Sequence, residues 1–296
     1  MLKKILVATD YSPLGNAAVK RAALLATRDQ AELQIVHVLP QLSRMDDFFG
    51  MLKGVSERMR LGSESIMNEQ VALAKRLLVS RCCGQVIEGA ASVAISSLVE
   101  KHRPDLLVIG AHGCGRLEQI FLGGTVSRIL AHATCPLLVI RRDSDCDYQQ
   151  LLVAVDFSAC SERILKNSLA LASSASATVV HAYEAPFEGK LRYNGFGKAD
   201  IEAYAEPTRH SAQRNIDALL ADVELVGLEL KSRLVHGHPN SVLFEVAEEL
   251  GADLMAIGHH AGTALEEKVM GSITKLVLYY APCDVLVAAP KSRGPS

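Results

Sequence analysis

The chain has 296 residues, of which 49% are apolar and 22% charged, with a formal net charge of −2. This length suggests two domains of about 150 residues each, and the near-neutral charge excludes a strongly basic nucleic-acid-binding protein. No apolar run reaches the roughly 18 residues of a membrane span. The N-terminal apolar run ends early, at Asp10, and the seven cysteines form no regular disulfide framework. We therefore expect a cytoplasmic protein without a membrane span.

The chain contains two copies of one unit. Three segments recur in the same order at nearly the same offset: 4–12 as 150–158, 104–110 as 252–258, and 135–139 as 283–287. Such internal repetition is typical of a duplicated domain. It predicts one domain at 1–144 and a second at 147–290.

In chain order, the first unit alternates predicted strands and helices. Residues 4–9 form a continuous apolar run, typical of a strand buried on both faces. Ser12 and Pro13 then match a helix start, with serine as the N-cap and proline at the first helical position. This helix is predicted to about residue 27, followed by a strand at 32–38, an irregular insert at 40–62, a helix at 63–82, a strand at 85–88, a helix at 92–102, a strand at 105–109, a helix at 125–132 and a strand at 136–141.

The second unit repeats this order. It is predicted to contain a strand at 150–155, a helix at 159–173, a strand at 177–183, an insert at 185–206, a helix at 207–222, a strand at 229–236, a helix at 239–250, a strand at 253–257, a helix at 272–280 and a strand at 284–288. Strands separated by crossover helices imply a parallel α/β sheet with helices on both faces. Ligands bind such sheets outside the carboxyl ends of the strands, where the strand order reverses.

Several residues of the first unit are expected at that edge. Asp10 directly follows the first strand, and Gly110 directly follows the fourth. The loop after Gly110 is rich in glycine, which permits tight turns and close backbone approach. It leads to a predicted helix start at Gly124 or Thr125, where free N–H groups favour an anion such as phosphate. Turn chemistry explains each feature singly, but together they predict a nucleotide pocket.

This constellation resembles the universal stress protein family, whose nucleotide-binding members carry Gly-x2-Gly-x9-Gly-Ser/Thr. Gly110, Gly113 and Gly123 fit this spacing, whereas Gly124 stands where serine or threonine is expected and Thr125 follows it. With the repeat, the resemblance spans nearly the whole chain. It implies a tandem protein of two Rossmann-like domains, of the adenine nucleotide alpha hydrolase type, each with a five-stranded parallel sheet flanked by helices.

The resemblance also implies how the domains associate. In single-domain members of the family, two copies pair through their last strands. Here the strands at 136–141 and 284–288 would pair within one chain and form an intramolecular pseudo-dimer. A further symmetric homodimer and an unknown protein partner stay open.

Candidate site residues follow from the resemblance by position. In the family, the first-strand aspartate and the end of the second strand contact adenosine, while the glycine loop holds the phosphates, often with Mg²⁺ or Mn²⁺. The first unit offers Asp10, Val38, Gly110, Gly113, Gly123, Gly124, Thr125 and Val126, with His112 inside the loop. The second offers Asp156, Gly258, Gly271, Ser272 and Ile273, but has Ala261 where the middle glycine is expected. We expect ATP, with Mg²⁺ as an optional companion, in at least one half, and favour a single site in the first.

The sequence lacks the common signatures of nucleotide-dependent enzymes. It has no Gly-x4-Gly-Lys-Ser/Thr loop, no Gly-x-Gly-x-x-Gly fingerprint and no Gly-x-Ser-x-Gly elbow. No matched base and nucleophile is apparent. The leading hypothesis is a stress-response regulator or signalling module that binds ATP, at most a weak ATPase. The alternative is an interaction module or apolar-ligand binder that uses the aromatic inserts at 40–62 and 185–206.

Histidine and cysteine residues suggest less specific alternatives. His236 and His238, with Cys283, have the residue types of a zinc site, although polar loop residues explain the same pattern. Cys135 and Cys283 begin apolar strands and are expected to pack in the core.

Overall fold

A computed structural model describes residues 1–41, 55–113, 124–130, 134–221, 223, 229–258 and 271–288. The first half contains β1 (Lys4–Ala8), α1 (Pro13–Asp29), β2 (Glu32–Leu39), α2 (Val55–Arg76), β3 (Cys82–Glu88), α3 (Ala91–His102), β4 (Leu106–Gly110), α4 (Gly124–Leu130) and β5 (Leu137–Ile140). The second half contains β6 (Gln150–Ala154), α5 (Ser161–Leu171), β7 (Ser176–Tyr183), α6 (Glu188–Tyr193), α7 (Lys198–Ala221), β8 (Leu230–His236), α8 (Pro239–Leu250), β9 (Leu254–Ile257), α9 (Ser272–Tyr280) and β10 (Asp284–Val287).

All ten of these strands belong to one sheet, in the order β3-β2-β1-β4-β5-β10-β9-β6-β7-β8. Neighbouring strands within each half are parallel, and the halves join where β5 and β10 pair antiparallel, with Val139 opposite Val285. The predicted α/β class, the two five-stranded parallel sheets and the pairing of the last strands within one chain are confirmed. In each half the strand order reverses beside the first strand. The reversal lies between β1 and β4 in the first half, and between β6 and β9 in the second.

Apolar residues cover both faces of the central strands. Ile5, Leu6 and Val7 of β1 are all fully buried. Ile5 and Val7 pack in a layer with α1, α2 and α5, while Leu6 packs in the opposite layer with α3, α4, α8 and α9. This two-sided burial explains why the strands are continuous apolar runs rather than alternating ones.

The repeated aspartates at 105 and 253 align the strands. The Asp105 carboxylate accepts hydrogen bonds from the backbone N–H groups of Lys3 and Lys4, at 2.7 and 2.9 Å. Asp253 accepts in the same way from Gln149 and Gln150, at 2.7 and 3.1 Å. Each aspartate ties the start of a first strand to the neighbouring fourth strand, so their carboxyl ends reach the same edge.

A buried polar cluster stabilises the junction between the halves. Asp284 is 3% exposed and accepts hydrogen bonds from the backbone N–H of Arg141 and the hydroxyl of Tyr148, both at 2.8 Å. Burial raises the pKa of this carboxyl group. The guanidinium of Arg21 lies 4.2 Å from the centre of the Tyr148 ring. The junction is therefore built from side chains of both halves as well as from the paired strands.

Two predicted helices have different bounds in the structure. The helix expected at 63–82 runs from Val55 to Arg76, so it begins inside the predicted insert. The helix expected at 207–222 begins at Lys198 and contains Pro207 within it. Ile201 and Ala205 are buried, and their packing outweighs the unfavourable effect of an internal proline. Within the described ranges, no helix combines the length and apolar character needed to cross a membrane.

Candidate functional site

A cavity of about 230 Å³ opens at the carboxyl edge of the sheet, between β1 and β4. Its inner wall is apolar and includes Val36, Ile95 and Ile109. Of the residues predicted for the first half, the following line it: Asp10, Val38, Gly110, His112, Gly113, Thr125 and Val126. Gly124 begins α4 without lining the cavity, and Gly123 lies outside the described residues. The cavity is thus apolar inside and carries polar groups at its mouth.

Two of the lining glycines are required by close contacts. A Cβ atom added at Gly110 would lie 2.8 Å from the backbone carbon of Leu14. One added at Gly113 would lie 2.4 Å from Oδ2 of Asp10. Contacts this short force a neighbouring atom to move, and the Leu14 backbone can move less readily than the Asp10 side chain. Gly110 therefore lets β4 approach the start of α1, and Gly113 lets the loop approach the Asp10 carboxylate.

A turn stabilised by side chains carries Asp10 to the mouth of the cavity. The backbone N–H of Tyr11 donates to Oγ1 of Thr9 at 3.0 Å, and that of Ser12 donates to Oδ1 of Asp10 at 3.1 Å. Tyr11 has a φ of 65° in the left-handed region, which residues other than glycine rarely adopt. The Ser12 hydroxyl caps α1 by accepting from the N–H of Gly15 at 3.0 Å, as predicted.

His37 of β2 packs against this turn, a contact that the sequence analysis missed. The ring is buried, its Nδ1 lies 2.8 Å from the carbonyl oxygen of Thr9, and it stacks on Tyr11 with 4.1 Å between ring centres. The hydroxyl of Tyr11 donates to the carbonyl of Ser63 in α2 at 2.7 Å, and burial raises the pKa of Tyr11 to about 12. The available signal was the repeat, since His37 recurs as His181.

His112 supplies an imidazole to the lining of the first cavity. Burial, and then the positive charge of Arg141, lower the pKa of His112. The ring is therefore neutral at pH 7. It can accept or donate a hydrogen bond there, but it does not supply a positive charge to the cavity.

A second cavity of about 230 Å³ occupies the equivalent edge between β6 and β9. All the residues predicted for the second half line it: Asp156, Gly258, Gly271, Ser272 and Ile273. Here Ser161 stands at the position of Gly15, and its hydroxyl donates to Oδ1 of Asp156 at 3.0 Å. The two halves therefore have the same backbone arrangement at this edge but different side chains beside the aspartate.

The histidines proposed for zinc bind protein groups instead. Nε2 of His236 lies 2.8 Å from Oε2 of the fully buried Glu188. Nδ1 of His238 accepts from the backbone N–H of Asn240 at 3.3 Å and caps α8. Among the described residues, no group of three or more candidate ligands is placed to hold a metal ion.

The two cysteines at the strand starts are core residues. Cys135 is 6% exposed and Cys283 is fully buried. Burial raises the pKa of each thiol to about 12, so neither thiolate forms at neutral pH. The predicted packing role of both cysteines is confirmed.

Comparisons with known proteins identify one family in both halves. The model of the universal stress protein family matches residues 1–141 and 147–289. A universal stress protein of Methanocaldococcus jannaschii is 32% identical over 149 residues, covering 48% of this chain and 84% of that protein. A universal stress protein A homolog of Coxiella burnetii is 30% identical over 141 residues, covering 47% of this chain and 94% of that protein.

A solved structure matches the two halves together. The crystal structure of a universal stress protein from Archaeoglobus fulgidus covers 97% of this chain and 98% of its own chain, with a TM-score of 0.69 and 18% identity. At this identity the likeness concerns the fold. The fold of the chain across both halves therefore has a counterpart in a solved protein.

Proposed function

The chain belongs to the universal stress protein family, and from this premise we propose that it binds an adenine nucleotide, ATP, in the first half. The observation that carries the proposal is the cavity between β1 and β4, where Asp10, Gly110 and Gly113 meet at one edge. An apolar wall with a few convergent polar groups is typical of small-molecule sites. The edge where the strand order reverses is where doubly wound sheets bind their ligands.

The residues of the first cavity fit the parts of a nucleotide. Val36, Ile95 and Ile109 offer an apolar slot for a planar base, and the neighbouring Val38 lies at the end of β2. The Asp10 carboxylate suits a ribose hydroxyl, or a Mg²⁺ ion beside the phosphates. Gly113 and Thr125 also line the cavity, and the backbone N–H of Gly113 and the hydroxyl of Thr125 would bind the phosphates. Bound Mg²⁺ would neutralise phosphate charge.

We infer a regulatory rather than a fast catalytic role. No described residue of the first cavity forms a paired base and nucleophile, and burial lowers the pKa of His112, which favours its neutral form. Bound ATP would instead favour one conformation or partner surface over another, which requires different affinities for ATP in the two states. Any hydrolysis would be slow.

The first test is binding to the purified full chain. Protein prepared without added nucleotide is denatured, and the released small molecules are identified by mass spectrometry; Mg-ATP is then titrated by calorimetry. We expect about one equivalent of adenine nucleotide per chain, in line with one competent cavity. The proposal would be refuted if the protein released no nucleotide and the titration produced no binding heat.

The variant Gly113→Ala assigns binding to the first cavity. The new methyl group would displace the Asp10 carboxylate, only 2.4 Å from its position, and we expect ATP affinity to fall about tenfold or more. Gly62→Ala is the matched control, because a Cβ atom there meets nothing within 4 Å. Equal affinities in the two variants would place the nucleotide elsewhere.

Exposed aromatic residues in the second insert support a second function. In the insert at 185–206, Phe187, Tyr193 and Phe196 are 70%, 92% and 51% exposed. Exposed aromatic residues close in sequence are typical of interaction surfaces. We propose that this insert contacts a protein partner, tested by replacing all three with serine and measuring partner capture with ATP binding as the control. The large apolar residues of the first insert, Met45, Phe48, Phe49 and Met51, lie outside the described residues.

A further inference from the structure

We propose that His37 and His181 are positioning residues, which hold the left-handed turn that aims Asp10 or Asp156 at its cavity. The consequence for ATP rests on the function proposed above, whereas the consequence for the turn itself does not. Neither histidine is expected to touch the ligand through its bonded Nδ1 nitrogen. Each would act through the backbone that precedes its aspartate.

The contacts of His37 are directed at the turn. Its Nδ1 lies 2.8 Å from the carbonyl oxygen of Thr9, the residue directly before Asp10. A carbonyl oxygen only accepts hydrogen bonds, so Nδ1 must carry the proton. The same ring stacks on Tyr11, the residue directly after Asp10, at 4.1 Å and 22° between the planes. One buried side chain thus holds both neighbours of the aspartate.

The turn needs such support because its backbone is sparsely populated. Tyr11 has a φ of 65°, and the left-handed region is unfavourable for a residue with a Cβ atom. Strained conformations of this kind persist only where surrounding contacts enforce them, and they cluster at functional sites. Here the conformation directs the Asp10 side chain toward Gly113, whose missing Cβ leaves room for it.

The second half repeats the arrangement with a different aromatic residue. Nδ1 of His181 lies 2.8 Å from the carbonyl oxygen of Val155, and its ring packs against Phe157 at 4.3 Å. Phe157 has a φ of 59°. Thr9 has become Val155 and Tyr11 has become Phe157, so the side-chain bonds of those residues differ between the halves. The histidine, its bond to a carbonyl and the left-handed turn are what the halves share.

A spectrum of the unmodified protein tests the hydrogen bond. Long-range ¹H–¹⁵N correlations at neutral pH report which ring nitrogen of each histidine carries the proton. We expect the Nδ1–H form for both His37 and His181, fixed by the carbonyl acceptors. The Nε2–H form at either residue would overturn the proposal, whether or not ATP binds.

Amide exchange tests whether the histidine holds the turn. His37→Phe keeps an aromatic ring for stacking and removes the donor. We expect exchange of the Tyr11 and Ser12 amides to accelerate at least tenfold, while the amides of Phe157 and Ser158 stay unchanged. His181→Phe should give the reverse pattern, so each variant is the control for the other. Unchanged exchange in both turns would overturn the proposal.

Measurements of ATP affinity distinguish a positioning role of His37 from a role in core packing alone. His37→Phe should weaken ATP binding at least tenfold, whereas His210→Phe on the exposed face of α7 should not. Adding Tyr11→Gly to His37→Phe should recover affinity to within about threefold, because glycine adopts a positive φ without a steric penalty. Lower stability with unchanged affinity would mean core packing only and would overturn the effect on ATP. If wild-type protein binds no ATP, the proposed function fails, and the tautomer and amide exchange still decide the role of the histidines.

Discussion

The two cavities place an aspartate, an aromatic residue with positive φ and a histidine at equivalent positions of the sheet edge, yet they differ in the residues beside them. Gly15 of the first half corresponds to Ser161 of the second, and Thr125 corresponds to Ile273. Both cavities have a volume of about 230 Å³. The duplication therefore preserved the backbone of the edge while its side chains diverged.

This difference has a physical reason. The backbone of the edge is held by hydrogen bonds from Nδ1 of His37, which is buried, and of His181, which is partly buried. Losing either would leave a buried polar group without its partner, which is costly. Side chains that face the cavity contact solvent or ligand, so changing them costs the fold little. The halves are therefore expected to be alike in stability and unlike in ligand preference.

The largest expected effect is a loss of stability on replacing Gly110, at the end of β4, compared with the equivalent Gly258, directly after β9. Gly110→Ala places a Cβ atom 2.8 Å from the backbone of Leu14, whereas Gly258→Ala places one 3.3 Å from Cβ of Cys160. Backbone cannot move aside easily, so we expect the first change to lower the free energy of unfolding by about 2–3 kcal/mol and the second by under about 1 kcal/mol. Urea denaturation measures both. Equal losses would show that the two edges are packed alike.

A smaller effect on stability is expected at Glu188, a buried carboxylate of the second half. Burial alone would raise the pKa of Glu188, but hydrogen bonds from His236, the backbone of Ala185 and Arg192 outweigh it and lower the pKa. Glu188→Gln should therefore cost about 2 kcal/mol of stability at pH 7. The register position of His236 is taken by Glu88 in the first half.

The pH dependence of this loss follows from the direction of the pKa. A carboxyl group with a lowered pKa in the folded state contributes stability above its ordinary pKa, and this contribution is lost as pH falls through the lowered value. Wild-type and Glu188→Gln should therefore differ at neutral pH and converge in acid. Thermal unfolding across pH measures the difference. A constant difference would mean that the carboxylate charge contributes nothing.

The smallest expected effect is a change in ATP affinity. It is tested by exchanging one residue between the two cavities. Gly15→Ser places a Cβ atom 2.7 Å from Oδ1 of Asp10, and we expect ATP affinity of the first cavity to fall about tenfold, or about 1.4 kcal/mol. Ser161→Gly removes the hydroxyl that donates to Asp156, and we expect weak ATP binding to appear in the second cavity. Calorimetry of both variants checks the exchange. No change in either would assign the difference between the cavities to other residues.

Much of the fold was predictable because its signals are local or repeated. The apolar runs of the strands, the Ser12–Pro13 helix start and the three recurring segments predicted the element order. The helix start at Lys198 was not predictable, because the burial of Ile201 and Ala205 outweighs the local proline signal. The helix start at Val55 was not predictable either, because residues 55–66 are exposed or half-buried and show no pattern of burial. Element ends depend on such tertiary contacts more than element types do.

The sequence by itself determined the duplication, the α/β class and many of the residues that line the two cavities, since these follow from periodicity, spacing and the resemblance. Only the tertiary structure decided how those residues meet. It places His37 on the Asp10 turn, the Ser161 hydroxyl on Asp156, and Glu188 between His236 and Arg192. These contacts join segments that no local pattern links, because side chains on separate elements meet only when the sheet and its helices pack together.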